Sequence, residues 1–197
     1  ECGALSGFAY VAVAAVELAG GLVGQDRPAL LGDPAGDRDP LLFTTGQFLD
    51  EMVALGIQPE HECFDAGHVA NLDPFLDMGT LKPPLQISLV MGVNGGIRPT
   101  PRNVAFMADQ IPDGPEGPNN WQVIGVSRDQ WKLLAASLDL GGNVRAGLED
   151  NLYLPNGEMA KSNGELIAKA RQMAEDIGRR AATVAEAREL LGIPKRE

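Results

Sequence analysis

The chain has 197 residues, enough to bury a sizeable core as one large domain or two small ones. A formal net charge of -11 and a pI of ≈ 4.6 argue against a nucleic-acid partner, which would want a basic face. Cys2 and Cys63 are the only cysteines, so a disulfide framework is not expected and a reducing cytoplasm is the expected compartment. The first residue is Glu1 rather than methionine, as in a fragment, a processed form or a trimmed chain.

Phe8 to Val23 is the most apolar run, interrupted by Glu17 and Gly20-Gly21. It is shorter than the ~20 residues that span a bilayer and has no basic stretch before it, so a buried helix or strand is expected and no membrane partner. Gly24 to Pro40 is rich in Gly, Pro, Asp and Arg, which is loop chemistry without an apolar period. Residues 1–40 therefore read as an atypical N-terminal segment, set apart from 41–197.

From Leu41 the rhythm becomes regular. Thr44 with Gln47 is a capping-box signature before Phe48, Leu49, Met52 and Val53, with Gly56 as the stop. Pro59 to Asp65 reads as a strand, and a helix-like stretch runs from Gly67 to Gly79. Leu85 to Met91 is an apolar strand that enters Gly92-Val93-Asn94-Gly95-Gly96. Pro101 to Ile111 has a helical pattern, Trp121 to Val126 a strand pattern. Ser127 with Gln130 predicts a second capping box ahead of Trp131, Leu134, Ala135 and Leu138. A short strand from Asn143 to Gly147 follows. Ser162 and Glu165 then cap a helix whose stripe is Leu166, Ile167, Ala170, Met173, Ala174 and Ile177. Thr183 with Glu186 opens a last short helix carrying Val184, Ala187, Leu190 and Leu191, stopped at Gly192-Ile193-Pro194.

Four strands, each followed by a helix at roughly thirty residues per unit, predict an α/β fold with a parallel sheet. The pattern fits either half of an eight-stranded barrel or an open sheet. A full barrel takes about 250 residues, so a barrel here would be incomplete.

Parallel strands are normally buried on both faces and rich in Val, Ile and Leu. Two strands break that rule. Glu60 and Glu62 share one face of the first, and Arg145 lies in the last, which runs into the adjacent carboxylates Glu149 and Asp150. Buried charge is costly unless paired or bound to a metal. The cheapest arrangement gathers these groups at the carboxyl end of the sheet, where α/β proteins bind ligands. A solvated loop with a local ion pair is the plain alternative for Glu149-Asp150.

The Gly92–Gly96 turn could bring backbone close to a phosphate or carboxylate, or could be a tight strand-to-helix turn. It lacks the dinucleotide-binding and Walker-A patterns. His61 and His68 match no common zinc spacing and read as structural histidines. Serine-hydrolase and zincin motifs do not occur.

The segments Pro59–His68, Gly92–Gly96, Gly141–Asn151 and Ser162–Leu166, in that order, resemble the β-keto acid cleavage enzyme family. Ala182–Arg188 and Leu191-Gly192 are similar to its C-terminal helix, and the likeness runs from about Phe43 to Lys195. The resemblance implies a TIM barrel, of which this chain carries the C-terminal half: the last four βα units and the C-terminal helix. It implies a divalent metal, usually zinc, and acetyl-CoA as co-substrate. A β-keto acid would be cleaved in a retro-Claisen sense to acetoacetate and a new acyl-CoA.

By the same resemblance Glu149 is a metal ligand, Asp150 the general base and Arg145 the partner that orients Asp150. Glu62 lines the pocket, and Asn94, Gly95 and Gly96 contribute to substrate binding. The family's His-x-His zinc ligands have no counterpart in this sequence, so the implied zinc site is incomplete. An inactive remnant without the metal centre and another metal-dependent barrel lyase remain as alternatives. Association into a homo-oligomer is expected from exposed sheet edges.

Overall fold

A computed structural model of the protein describes residues 57–114 and 117–192, together with 8–9, 11–12, 49, 52, 54 and 55. In chain order the elements are β1 (Phe8–Ala9), β2 (Val11–Ala12), β3 (Glu60–Cys63), α1 (Ala66–Ala70), α2 (Asp73–Asp77), β4 (Gln86–Met91) and α3 (Pro101–Ala108). Then come β5 (Asp113–Gly114), β6 (Gly117–Pro118), β7 (Asn120–Gly125), a 3-10 turn (Ser127–Asp129), α4 (Gln130–Asp139), β8 (Asn143–Arg145), α5 (Asn163–Asp176), β9 (Arg180–Ala181) and α6 (Val184–Leu190).

The four expected strands are β3, β4, β7 and β8, and they pair in parallel with helices between them. The main sheet runs β2-β8-β7-β4-β3, and β1 pairs in parallel with β9. The fold is α/β of the TIM-barrel type, as an incomplete barrel: among the described residues β3 has a single neighbour, β4. Two elements add to the expected set. Arg180–Ala181 forms a short strand before the last helix, and β5 with β6 makes a small antiparallel hairpin.

Strand alternation separates the two faces of the sheet. Cys63, Ile87, Leu89, Met91, Val123 and Val144 point to the helices and join Val69, Val104, Met107, Leu133, Leu134 and Leu166 in one apolar core. Register places Glu62, Ser88, Gln122 and Asn143 side by side on the opposite face, with Arg145 beside Ile124 one step nearer the carboxyl end. The inner face is thus polar through its middle. In a barrel this face is the interior, where side chains from neighbouring strands stack in layers.

Local signals held in several places. Ser162 accepts a hydrogen bond from the Glu165 amide, and Thr183 with Glu186 forms a reciprocal capping box. The Ser127–Gln130 box does not form. Ser127 takes φ 70°, its amide donates to the Asp150 carbonyl at 2.7 Å, and α4 starts after Asp129 without a side-chain cap. The Gln130 side chain turns inward and donates to the Gly125 carbonyl at 3.1 Å. A tertiary backbone bond outweighs the local cap here.

The apolar stripes also shift. Ala135 faces solvent on α4 while Leu133 is fully buried, because that helix packs against β7, β8, α3 and α5 at once. Ile177 leaves the α5 stripe as its C-cap and is exposed. On α6 no residue is buried, and Val184 is exposed among the described residues. Leu49, Met52 and Ala54 are helical, whereas the Thr44–Gln47 cap ahead of them lies outside the described residues, as do the loop at 24–40 and the stop at Ile193-Pro194. No helix among the described residues is long and apolar enough to cross a membrane.

Candidate functional site

Arg145 is the centre of the site because it is the cation that strand β8 carries to the polar face. Its side chain is 11 % exposed and meets three carboxylates: Glu149 at 3.1 Å, Asp150 at 3.5 Å and Glu62 at 3.8 Å. Glu62 comes from β3 and Arg145 from β8, with β4 and β7 between them. Three strand spacings of about 4.8 Å would separate those strands by roughly 14 Å in a flat sheet. The two side chains close that gap by converging over the concave face.

Glu149 and Asp150 are brought here by the tight turn after β8. The amides of Asp150 and Asn151 both donate to the Gly147 carbonyl at 3.1 Å. The neighbouring carboxylates end in different environments. The Glu149 side chain is 48 % exposed, whereas Asp150 is 10 % exposed. Burial pushes the Asp150 carboxyl above its usual range; Arg145 opposes this, and Glu149 and Glu62 add to it. Asp150 Oδ2 and Arg145 Nε are both buried with no hydrogen-bond partner, although they face each other as an ion pair. Asp150 therefore has charge stabilisation at one oxygen without a donor occupying its lone pairs.

Gly147 is fixed by this geometry. A Cβ there would collide with the Glu149 carboxylate. Gly147→Ala should therefore displace Glu149 from Arg145 at a stability cost of about 0–1 kcal/mol, the scale of a half-exposed pair. Urea denaturation checks the stability, and a crystal structure of the variant checks the opened pair.

Four expected site residues, Glu62, Arg145, Glu149 and Asp150, are brought together. Asn94, Gly95 and Gly96 follow β4 at the same end of the sheet, with Asn94 and Gly95 exposed. Among the described residues no hydrogen bond or ion pair joins them to Arg145. Gly96 instead packs under the turn after β3: a Cβ would lie 2.9 Å from the Phe64 carbonyl, which accepts from the Ile97 amide at 2.8 Å. Tight-turn packing accounts for that glycine.

A second polar group was not foreseen. Glu60 Oε1 accepts hydrogen bonds from Ser88 Oγ and, at 3.1 Å, from Gln122 Nε2, which also donates to Ser88 Oγ at 3.0 Å. This chain crosses β3, β4 and β7 on the inner face. A lone serine or glutamine in an apolar strand carries little sequence signal. Only the register makes them neighbours of Glu60.

The histidines stand apart from the acid pair. His61 alternates with Glu62 and points to the other face, and its burial lowers its pKa. His68 Nδ1 accepts the Phe64 amide at 3.2 Å, and its ring meets Phe64 edge-on. Among the described residues no three His, Cys, Asp or Glu side chains converge to hold a metal. A catalytic zinc site takes three protein ligands. The described residues alone do not supply that set.

An α/β barrel-type sheet with a guanidinium and an acid pair at the carboxyl ends of its strands has the architecture of a barrel enzyme site. The chain belongs to the β-keto acid cleavage enzyme family, which it matches over residues 43–193. It is 40 % identical over 148 residues to the 3-keto-5-aminohexanoate cleavage enzyme of Acetoanaerobium sticklandii, covering 75 % of this chain and 53 % of that protein. It is 38 % identical over 152 residues to the 3-oxoadipate:acetyl-CoA acetyltransferase of Cupriavidus necator, covering 75 % of this chain and 51 % of the relative. A solved ternary complex of ObcA with a C4-CoA adduct and oxalate shares the fold, with a TM-score of 0.59 and 22 % identity over 79 % of this chain and 41 % of ObcA. The chain spans about half the length of the curated relatives it matches.

Proposed function

We propose that the protein cleaves a β-keto acid with acetyl-CoA, giving acetoacetate and the acyl-CoA of the remaining fragment. In this reading residues 41–197 are the C-terminal half of an eight-stranded barrel, and 1–40 is an atypical N-terminal segment whose strands at Phe8–Ala9 and Val11–Ala12 lie against β9 and β8. The names of the relatives support the reaction class, and the Arg145–Asp150 geometry supports the division of roles. Asp150 is the general base: it takes a proton from the carbon between the keto and carboxyl groups and returns one to the acetoacetate that leaves. Arg145 orients Asp150 and holds its charge. Glu62 lines the same pocket, with Asn94, Gly95 and Gly96 at its edge against the substrate carboxylate.

The accounting closes without a further reactant. The β-keto acid is acetylated at its acidic carbon, coenzyme A takes the original acyl group, and the carbon–carbon bond between them breaks. Zinc at this site would take Glu149 as one ligand and would supply Lewis-acid polarisation of the keto oxygen. Its other ligands would come from outside the described residues. A cytoplasmic location and a homo-oligomer complete the proposal. The exposed Leu152 and Met159, on the hairpin after β8, support the oligomer.

The observation that carries the reading is Asp150 itself, a shielded carboxylate with uncommitted lone pairs on a cationic support. The test is acetyl-CoA-dependent acetoacetate formation by the purified chain, with 3-oxoadipate and 3-keto-5-aminohexanoate among the keto acids and zinc content measured alongside. Acetoacetate that requires both substrates is expected. Its absence across the panel would overturn the reading.

A further inference from the structure

A groove of ≈ 540 Å³ lies between the start of α4 and the connection after β8, lined by neither Glu149 nor Asp150. Its volume is in the range of pockets that hold a drug-sized or cofactor-sized ligand, roughly 300–1,000 Å³. One wall is Arg128, Trp131 and Lys132, from the 3-10 turn and the first turn of α4. The other is Asn151, Tyr153, Leu154, Pro155 and Gly157, from the connection after β8. Both walls follow the carboxyl ends of strands, so the groove opens on the same end of the sheet as Asp150.

Its walls are preformed. The Trp131 indole and the Asn151 amide each donate to the Tyr153 carbonyl at 2.7 Å, and Asn151 Oδ1 accepts from the Tyr153 amide at 3.2 Å. The Ser127 amide ties the first wall to the Asp150 carbonyl at 2.7 Å. Among the lining residues Asn151 directly follows the proposed base in the chain.

Its chemistry is cationic and aromatic in a chain of net charge -11. Arg128 is exposed and has no ion-pair partner among the described residues. Lys132 pairs with Asp129 at 3.1 Å, but both side chains are open to water, and such a pair is weak enough to exchange for a better anion. Tyr153 is partly exposed at the groove while Trp131 is buried in its wall. An elongated ligand with phosphates, a flat ring and a reactive end near Asp150 matches this set.

We infer that this groove receives the phosphorylated nucleotide end of the coenzyme A thioester, with Arg128 and Lys132 on its phosphates and Tyr153 against its adenine. The inference rests on the acetyl-CoA-dependent reaction proposed above. It assigns that co-substrate an approach along the β8 connection, with the thioester arm running past Asn151 to Asp150.

Calorimetric titration of the full chain with coenzyme A, 3′-dephospho-coenzyme A and pantetheine tests it. Coenzyme A should bind more tightly than the other two. The double variant Arg128→Glu/Lys132→Glu should raise its dissociation constant by roughly tenfold or more, as loss of charge-assisted contacts to phosphate implies, and leave pantetheine unaffected. Arg128→Ala/Lys132→Ala, with its melting temperature compared to the parent, guards against a folding defect.

No binding of coenzyme A by the parent chain would overturn the inference. So would an unchanged dissociation constant in a folded double variant. Coenzyme A binding that falls in the variant, with no acetoacetate from any keto acid, would keep the groove and remove the activity. Acetoacetate formation with the same KM for acetyl-CoA in parent and variant would do the reverse.

Discussion

Asp150→Asn should lower the rate of acetoacetate formation by roughly 10²- to 10⁴-fold, the usual contribution of a positioned general base. Asparagine keeps the shape of the side chain and its place after the β8 turn but cannot take a proton at the pH of reaction. The backbone that holds the position is unaffected: the residue 150 amide still meets the Gly147 carbonyl, and its carbonyl still accepts from Ser127. Arg145 also keeps Glu149 at 3.1 Å and Glu62 at 3.8 Å, so the guanidinium is not stranded by the change. Stability should therefore move by only about 1 kcal/mol, within the ordinary range of a substitution that leaves no buried charge unpaired. Single-turnover rates with saturating acetyl-CoA, alongside urea denaturation, separate the two effects. A rate within threefold of the parent would remove Asp150 from the role of base.

The acid pair was legible because it broke a rule. An arginine in a parallel strand and two carboxylates at its end contradict the apolar composition such strands need, so a charged cluster there is readable from the sequence, and the ion pairs of Arg145 form it. The α5 and α6 caps were legible for a different reason: each rests on a side-chain oxygen that accepts from the amide three residues on. Ser127 and Gln130 carry the same spacing and do not cap, since Ser127's amide is claimed by the Asp150 carbonyl from the next connection. That competition is invisible in a local pattern. The Glu60–Ser88–Gln122 group was hidden for a related reason. Three residues from three strands become one cluster only when the register is known. The N-terminal run was legible just as far as its strands, Phe8–Ala9 and Val11–Ala12, which pair with β9 and β8.

Replacing Arg145 with methionine should destabilise the fold by about 3 kcal/mol, the low end of the cost of breaking a buried ion pair from one side. The low end applies because two of its three carboxylates, Glu62 and Glu149, are about half exposed and can turn to water. Asp150 cannot, at 10 % exposure, and it is the group that makes the loss expensive. Adding Asp150→Asn to Arg145→Met should then restore about 1–2 kcal/mol, within the coupling range of residues in direct contact. Arg145→Lys should fall between parent and Met variant, because an ammonium lacks the planar fork that spreads over several carboxylates. Urea denaturation of the four members of the cycle gives the coupling. Additivity within ~0.5 kcal/mol would mean that Arg145 and Asp150 do not support each other. Strong coupling would identify the pair as one electrostatic unit, in which the cation that permits a buried carboxylate is also the group that keeps it ionised for proton transfer.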